Sequence, residues 1–125
     1  MTFGEYLRKL RIDRNITLRK FAEMIGKSAT LISGIENGDK VAPSDEVLRC
    51  IIEKLNLNSI ESETLYDLAA DTKTNNPIPA DITETIKNSN TVKVALRVAK
   101  NLDATDEEWE DFMRRLQEKR DKGEF

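Results

Sequence analysis

The sequence predicts an all-α protein, with five short helices in an N-terminal domain and a small helical extension at the C-terminus. Three observations carry that expectation. Apolar residues recur at i, i+3, i+4 and i+7 in one segment after another. A Ser, Thr or Asn stands before most of these segments, where its side-chain oxygen can accept from the orphan amides of a first helical turn. Strand-like alternation is missing, and only three prolines and five glycines occur in 125 residues.

Phe3, Tyr6, Leu7 and Leu10 form the apolar stripe of a first helix over residues 2–14. Asn15 ends it, because asparagine tolerates the left-handed conformation better than most residues. Thr17 caps a second helix beginning at Leu18, with Phe21, Ala22 and Ile25 on one face, and Gly26 stops it. Ser28 caps a third, whose inward residues are Leu31, Ile32 and Ile35, and Asn37-Gly38 closes it. Two helices joined by a glycine turn of about three residues make a helix-turn-helix. Residues 17–38 are the stretch around which the chain is organised.

Residues 39–43 lead to Ser44, which caps a fourth helix carrying Asp45 and Glu46 in the turn where the helix dipole favours anions. Val47, Leu48, Ile51, Ile52 and Leu55 are its core face, with Cys50 at the margin as a small filler. Asn58 and Glu61 have the spacing of a capping box for a fifth helix bearing Leu65, Leu68 and Ala69, with Tyr66 at its edge.

Residues 72–79, TKTNNPIP, are polar and hold two prolines, which bar a continuous helix. The expected organisation is therefore a domain at 1–73, a linker at 74–80, a helical region at 81–120 and a charged tail at 121–125. Within the helical region, residues 81–87 suit one short helix. Residues 91–102 suit another, with Val92, Ala95, Leu96, Val98, Ala99 and Leu102 apolar. Thr105 with Glu108 opens a third, on which Trp109, Phe112, Met113 and Leu116 form a stripe. From residue 117 onward nearly every side chain is charged, and fraying is expected. Fewer than about fifty residues make a poor independent core. These helices are expected to pack on the first domain, on a second copy, or both.

Composition narrows the function. No run of about eighteen apolar residues exists to span a membrane. The N-terminus lacks the apolar core of a signal peptide, and a cytoplasmic protein is the expectation. With no histidine and a single cysteine, Cys50, there is neither an intrachain disulfide nor a ligand set for a metal site. No cofactor is implied. No paired-carboxylate or Gly-rich phosphate motif supplies acid–base, nucleophilic or phosphate chemistry, so an enzyme is not expected. Net charge is −3. Up to Lys40, eight basic and five acidic side chains leave +3, and the remainder carries −6. Local charge governs phosphate contact, so a mildly basic head remains compatible with nucleic acid.

The third helix turns Ala29, Thr30, Ser33, Gly34 and Asn37 away from the core. These side chains are short where a solvated helix would carry Lys and Glu, and small residues let a helix backbone approach a groove closely. Ile25-Gly26, Ser28, Ile32-Ser33, Ile35-Glu36 and Gly38, with Leu7-Arg8-Lys9-Leu10-Arg11 and Phe21-Ala22 upstream, resemble the Cro and lambda-repressor type, the XRE-like helix-turn-helix family. The resemblance covers roughly residues 3–70 and implies a five-helix lambda-repressor-like domain. It also implies that Arg11 of the first helix pairs with Glu36 at the end of the third.

The function that follows is a sequence-specific regulator of transcription, a repressor, binding double-stranded DNA as a homodimer with helix 28–37 in the major groove. Base reading falls to Ala29, Thr30, Ser33 and Gly34. Gly34 departs from the polar residue usual there, costs about 1 kcal/mol of helix propensity relative to Ala, and leaves specificity to fewer contacts or to DNA shape. Phosphate contacts fall to Thr17, Arg19, Lys27, Ser28, Asn37 and Lys40. Trp109, Phe112, Met113 and Leu116 form the oligomer or partner face. The alternative is an antitoxin-like or adaptor module that uses the C-terminal helices to bind a protein partner.

Overall fold

The computed structural model describes residues 1–73 and 78–123. Part of the 74–80 linker and the end of the 121–125 tail lie outside the described residues. The described elements are α1 (Phe3–Asp13), α2 (Leu18–Met24), α3 (Ala29–Glu36), α4 (Asp45–Leu55), α5 (Ser59–Asp71), α6 (Ala80–Lys87), α7 (Asn90–Asn101) and α8 (Asp106–Asp121). No strand occurs among the described residues. No helix is long and apolar enough to cross a membrane.

Each of the helices α1 to α5 starts at a side-chain cap. Thr17 Oγ1 accepts from the Lys20 amide at 3.1 Å, Ser28 Oγ from Leu31 at 3.1 Å and Ser44 Oγ from Val47 at 3.4 Å. Asn58 and Glu61 close a reciprocal capping box. Thr2, one residue before α1, accepts from the Glu5 amide. Asn15 and Asn56 take left-handed conformations at the ends of α1 and α4, where a Cβ is tolerated only at some cost.

The chain divides into two units between Glu84 and Thr85, within α6. The core of the first is built from Phe3, Leu7 and Leu10 of α1, Phe21 and Ala22 of α2, Ile32 and Ile35 of α3, Leu48, Ile51 and Leu55 of α4, and Leu65 and Ala69 of α5. Cys50 is half-buried against it. Thr72 ties the end of α5 to the loop before α4, donating to Ala69 O at 2.7 Å and accepting from the Ala42 amide at 3.0 Å.

Two arginines lock the helices. Arg11 donates from Nε and Nη2 to the two oxygens of Glu36, both at 2.9 Å, and from Nη1 to Ile16 O at 3.0 Å. The two side chains are only 11% and 6% exposed. The bidentate Glu36 carboxylate raises the Arg11 pKa against the opposing effect of desolvation. Arg14 reaches α4 and α5, donating to Leu55 O at 2.8 Å and to both Glu61 oxygens at 3.1 and 3.2 Å. Glu61 therefore works twice, in its own capping box and across the core.

The second unit has a different character. None of its described residues is buried. α7 begins at Asn90 under a Ser89 cap, one residue before the helix expected at 91–102. Contrary to the fraying expected from residue 117, α8 continues to Asp121. Gln, Glu, Lys and Arg are strong helix formers, and Lys119 and Arg120 complement the dipole in the last turn.

Removing either partner of the Arg11–Glu36 pair strands a largely buried charge, at a cost of about 3–5 kcal/mol. Thermal melts of Arg11→Ala, Glu36→Ala and the double variant check this. The double variant is expected to lose clearly less than the sum of the singles, and additive losses would show that the pair is not coupled.

Glu61 sets an acid limit. Its carboxyl is held below the usual carboxylate value, first by the Asn58 amide that donates to it and then by Arg14. The folded pKa lies under the unfolded one. The resulting stability is present above the unfolded value of 4.5 and is lost as pH falls through the folded value. Melting wild type and Glu61→Gln from about pH 6 to about pH 3 should show the gap between them closing as pH falls. A constant gap would contradict this assignment.

Candidate nucleic-acid interface

The orientation of α3 is decided from inside the first unit. Ile32 and Ile35 are buried and point one face of the helix at α1 and α2. The C-terminal end is brought still closer by Gly4, where a Cβ would stand 2.3 Å from Ile35 O and 2.6 Å from Glu36 O. No other residue fits there unless one of the helices moves. Gly4 carried no signal in the sequence, since a close approach between backbones becomes visible only when both helices are placed.

With that face fixed, Thr30 and Asn37 are exposed on the opposite one and Ser33 and Gly34 are half-buried there, whereas Ala29, expected to face outward, packs partly against the core. Ala29, Thr30, Ser33, Gly34 and Asn37 line one open concavity together with Leu18, Asp39 and Lys40. All four residues assigned to base reading are thus brought together, and Asn37 and Lys40 join them. Leu18 and Asp39 were not anticipated. The Thr30 hydroxyl makes no hydrogen bond among the described residues. Ser33 Oγ accepts only a long 3.5 Å contact from Asn37 Nδ2. Both hydroxyls are available to an external partner.

Thr17, Arg19, Lys27 and Ser28, the other residues assigned to phosphate, are all exposed and lie at the starts of α2 and α3. The Thr17 and Ser28 oxygens already accept from their own helices, so each hydroxyl can donate its proton outward. Lys27 is held in the turn by its amide, which donates to Ala22 O at 2.9 Å.

Lys40 is arranged differently. Gly34 O accepts from the amides of both Asp39, at 2.9 Å, and Lys40, at 3.2 Å, so the loop after α3 folds back over the helix. The Lys40 stem then crosses position 34. A Cβ on Gly34 would stand 3.2 Å from Lys40 Cδ and Cε and 3.4 Å from Cγ. The space that glycine leaves on this face is occupied by lysine.

The stripe of Trp109, Phe112, Met113 and Leu116 belongs to the second unit. Trp109 and Phe112 meet edge to face with centroids 6.3 Å apart. Together with Ala95, Val98, Ala99 and Leu102 of the α7 segment they border an apolar groove. Phe112 remains 52% exposed and Leu102 76%. Among the described residues no cluster of His, Cys, Asp and Glu is placed to hold a metal ion.

Comparison with known proteins bears on the first unit. Residues 7–62 match a family described as helix-turn-helix. Over 56 residues the chain is 39% identical to the HTH-type transcriptional repressor RghR of Bacillus subtilis (strain 168), a region covering 45% of this chain and 42% of that protein. The chain thus spans less than half the length of this curated relative. No solved structure matches the chain.

Proposed function

Residues 7–62 form a domain of the helix-turn-helix family, and from that premise we propose that the protein is a sequence-specific, double-stranded DNA-binding repressor of transcription. The observation that carries this reading is the concavity on α3, to which the helix itself contributes only the short side chains of Ala29, Thr30, Ser33 and Asn37 beside Gly34. A helix with such a face enters the major groove closely, and in this motif its N-terminal residues meet base edges while the preceding helix crosses the backbone. Thr30 donates to or accepts from a base edge, Ala29 packs on a thymine methyl, and Ser33 adds a second hydroxyl one turn on. Thr17, Arg19, Lys27, Ser28 and Asn37 hold phosphates on either side. The repressor in the matched relative's name supports the direction of regulation. A DNA partner makes the cytoplasm the place of action.

Dimerisation belongs to α8. A single domain reads only a few base pairs, and two copies double the site. The Trp109, Phe112, Met113 and Leu116 side chains are exposed enough to need a cover. Asp106, Glu107, Glu108, Glu110 and Asp111 make the first half of α8 acidic, and Arg114, Arg115, Lys119 and Arg120 outweigh Glu118 and Asp121 in the second. Two copies running antiparallel set acid against base along the seam. The same unburied face also suits a separate protein partner, as an antitoxin-like or adaptor module would need.

Reading and positioning separate in one experiment, a selection from a randomised half-site library at fixed salt. Thr30→Ala or Ser33→Ala should change preference at one or two base pairs, by about 1–3 kcal/mol. Lys27→Ala should weaken all sequences alike and reduce the salt slope by about one. Unchanged preference in both Ala variants would put a different face of α3 in the groove.

Sedimentation of the full chain carrying Trp109→Ala and Phe112→Ala checks the seam. A shift to monomer with duplex binding weakened about tenfold or more is expected, because buried aromatic anchors dominate interface energy. A variant that stays dimeric moves the interface elsewhere.

A further inference from the structure

We infer that Lys40 is a base-reading residue: carried across Gly34 onto the groove face of α3, its ammonium donates to the acceptor edge of a guanine. This deepens the proposed reading of duplex DNA by α3 and rests on it. Three observations converge on the same side chain. The backbone of the loop is pinned to the helix, because Gly34 O holds the amides of both Asp39 and Lys40. The aliphatic stem lies in the gap at position 34, with Cδ and Cε 3.2 Å from where a Cβ would stand. The stem borders the same concavity as Ala29, Thr30, Ser33 and Asn37.

The ammonium is also available. Lys40 enters no ion pair among the described residues, although Asp39 is its neighbour in the chain. A lysine that serves only a phosphate needs no seat on the recognition helix, and Lys27 has none. Across the major groove, guanine alone presents two adjacent acceptors, O6 and N7, and Lys is among the side chains that pair with them. Adenine offers N7 beside a donor, which opposes an ammonium. Gly34 then has a reason to stand in the middle of a helix: any larger residue competes with the Lys40 stem for one space. The base contact missing at position 34 is supplied from the loop, six residues further on.

The test is a half-site selection with the full chain at fixed salt, comparing wild type, Lys40→Met, Gly34→Ala and Lys27→Ala. Lys40→Met keeps an aliphatic stem and removes the charge. It is expected to lose preference for guanine at one position by about fivefold or more, with the other positions unchanged. Gly34→Ala is expected to disturb the same position while Lys40 is still present. Circular dichroism shows whether that variant is folded; if it is not, Lys40→Met alone decides. Lys27→Ala should retain the wild-type preference. A Lys40→Met chain that keeps the guanine preference and binds every sequence more weakly, with a salt slope lower by about one, overturns the inference and returns Lys40 to the phosphates. So does an unchanged Lys40→Met chain. A wild-type chain that enriches no sequence overturns the duplex reading of α3 itself, and Lys40's role with it.

Discussion

The guanidinium of Arg11 lies between α1 and the end of α3, holding both oxygens of Glu36 and the carbonyl of Ile16. Its cost in desolvation is large, and an apolar pair of the same volume could stabilise the fold as well or better. What the ion pair supplies is direction. A bidentate fork accepts a carboxylate from one angle, so it fixes the rotation of α3 about its own axis, which a layer of Ile and Leu side chains constrains less tightly. Gly4 completes the constraint by bringing the α1 backbone against the carbonyls of Ile35 and Glu36. Together they leave Thr30 and Ser33 on the face turned away from the core, with Ala29 at its edge.

The second arginine extends the same logic. Arg14 connects the end of α4, through Leu55 O, to the first turn of α5, through Glu61. The five-helix core is thus tied by two cation-centred contacts, from Arg11 in the last turn of α1 and Arg14 at its C-cap. Beyond residue 84 nothing comparable exists among the described residues. α7 and α8 have good caps and amphipathic faces but no buried side chain. That contrast is the ground on which association is proposed for the second unit and recognition for the first.

Much of this was legible in the sequence, for identifiable reasons. A cap is a local event, so Thr17, Ser28, Ser44, Asn58 and Thr105 could be read from a hydroxyl or amide ahead of an apolar run. The apolar stripes likewise named the core. The Arg11–Glu36 pair came from the resemblance, since no local pattern joins residues twenty-five apart. Arg14–Glu61 stayed hidden because Glu61 already had a sufficient local role in its capping box. Gly34 read as an absence. Only the fold shows that Lys40 lies there, because the loop must turn back on Gly34 O before its side chain can cross the helix. The charged end of α8 was misjudged because charge was taken for disorder where helix propensity and the dipole favour order.

In the proposed function α3, oriented by Arg11 and Gly4, is the element that meets DNA. Nuclear magnetic resonance titration of the isotope-labelled full chain with a duplex recovered by selection tests it most directly. The amides of Ala29, Thr30 and Ser33 are expected to shift most, with Thr17 and Ser28 following at the helix starts. Largest shifts in residues 90–121, with α3 unmoved, would contradict it and make this domain a scaffold for another interaction.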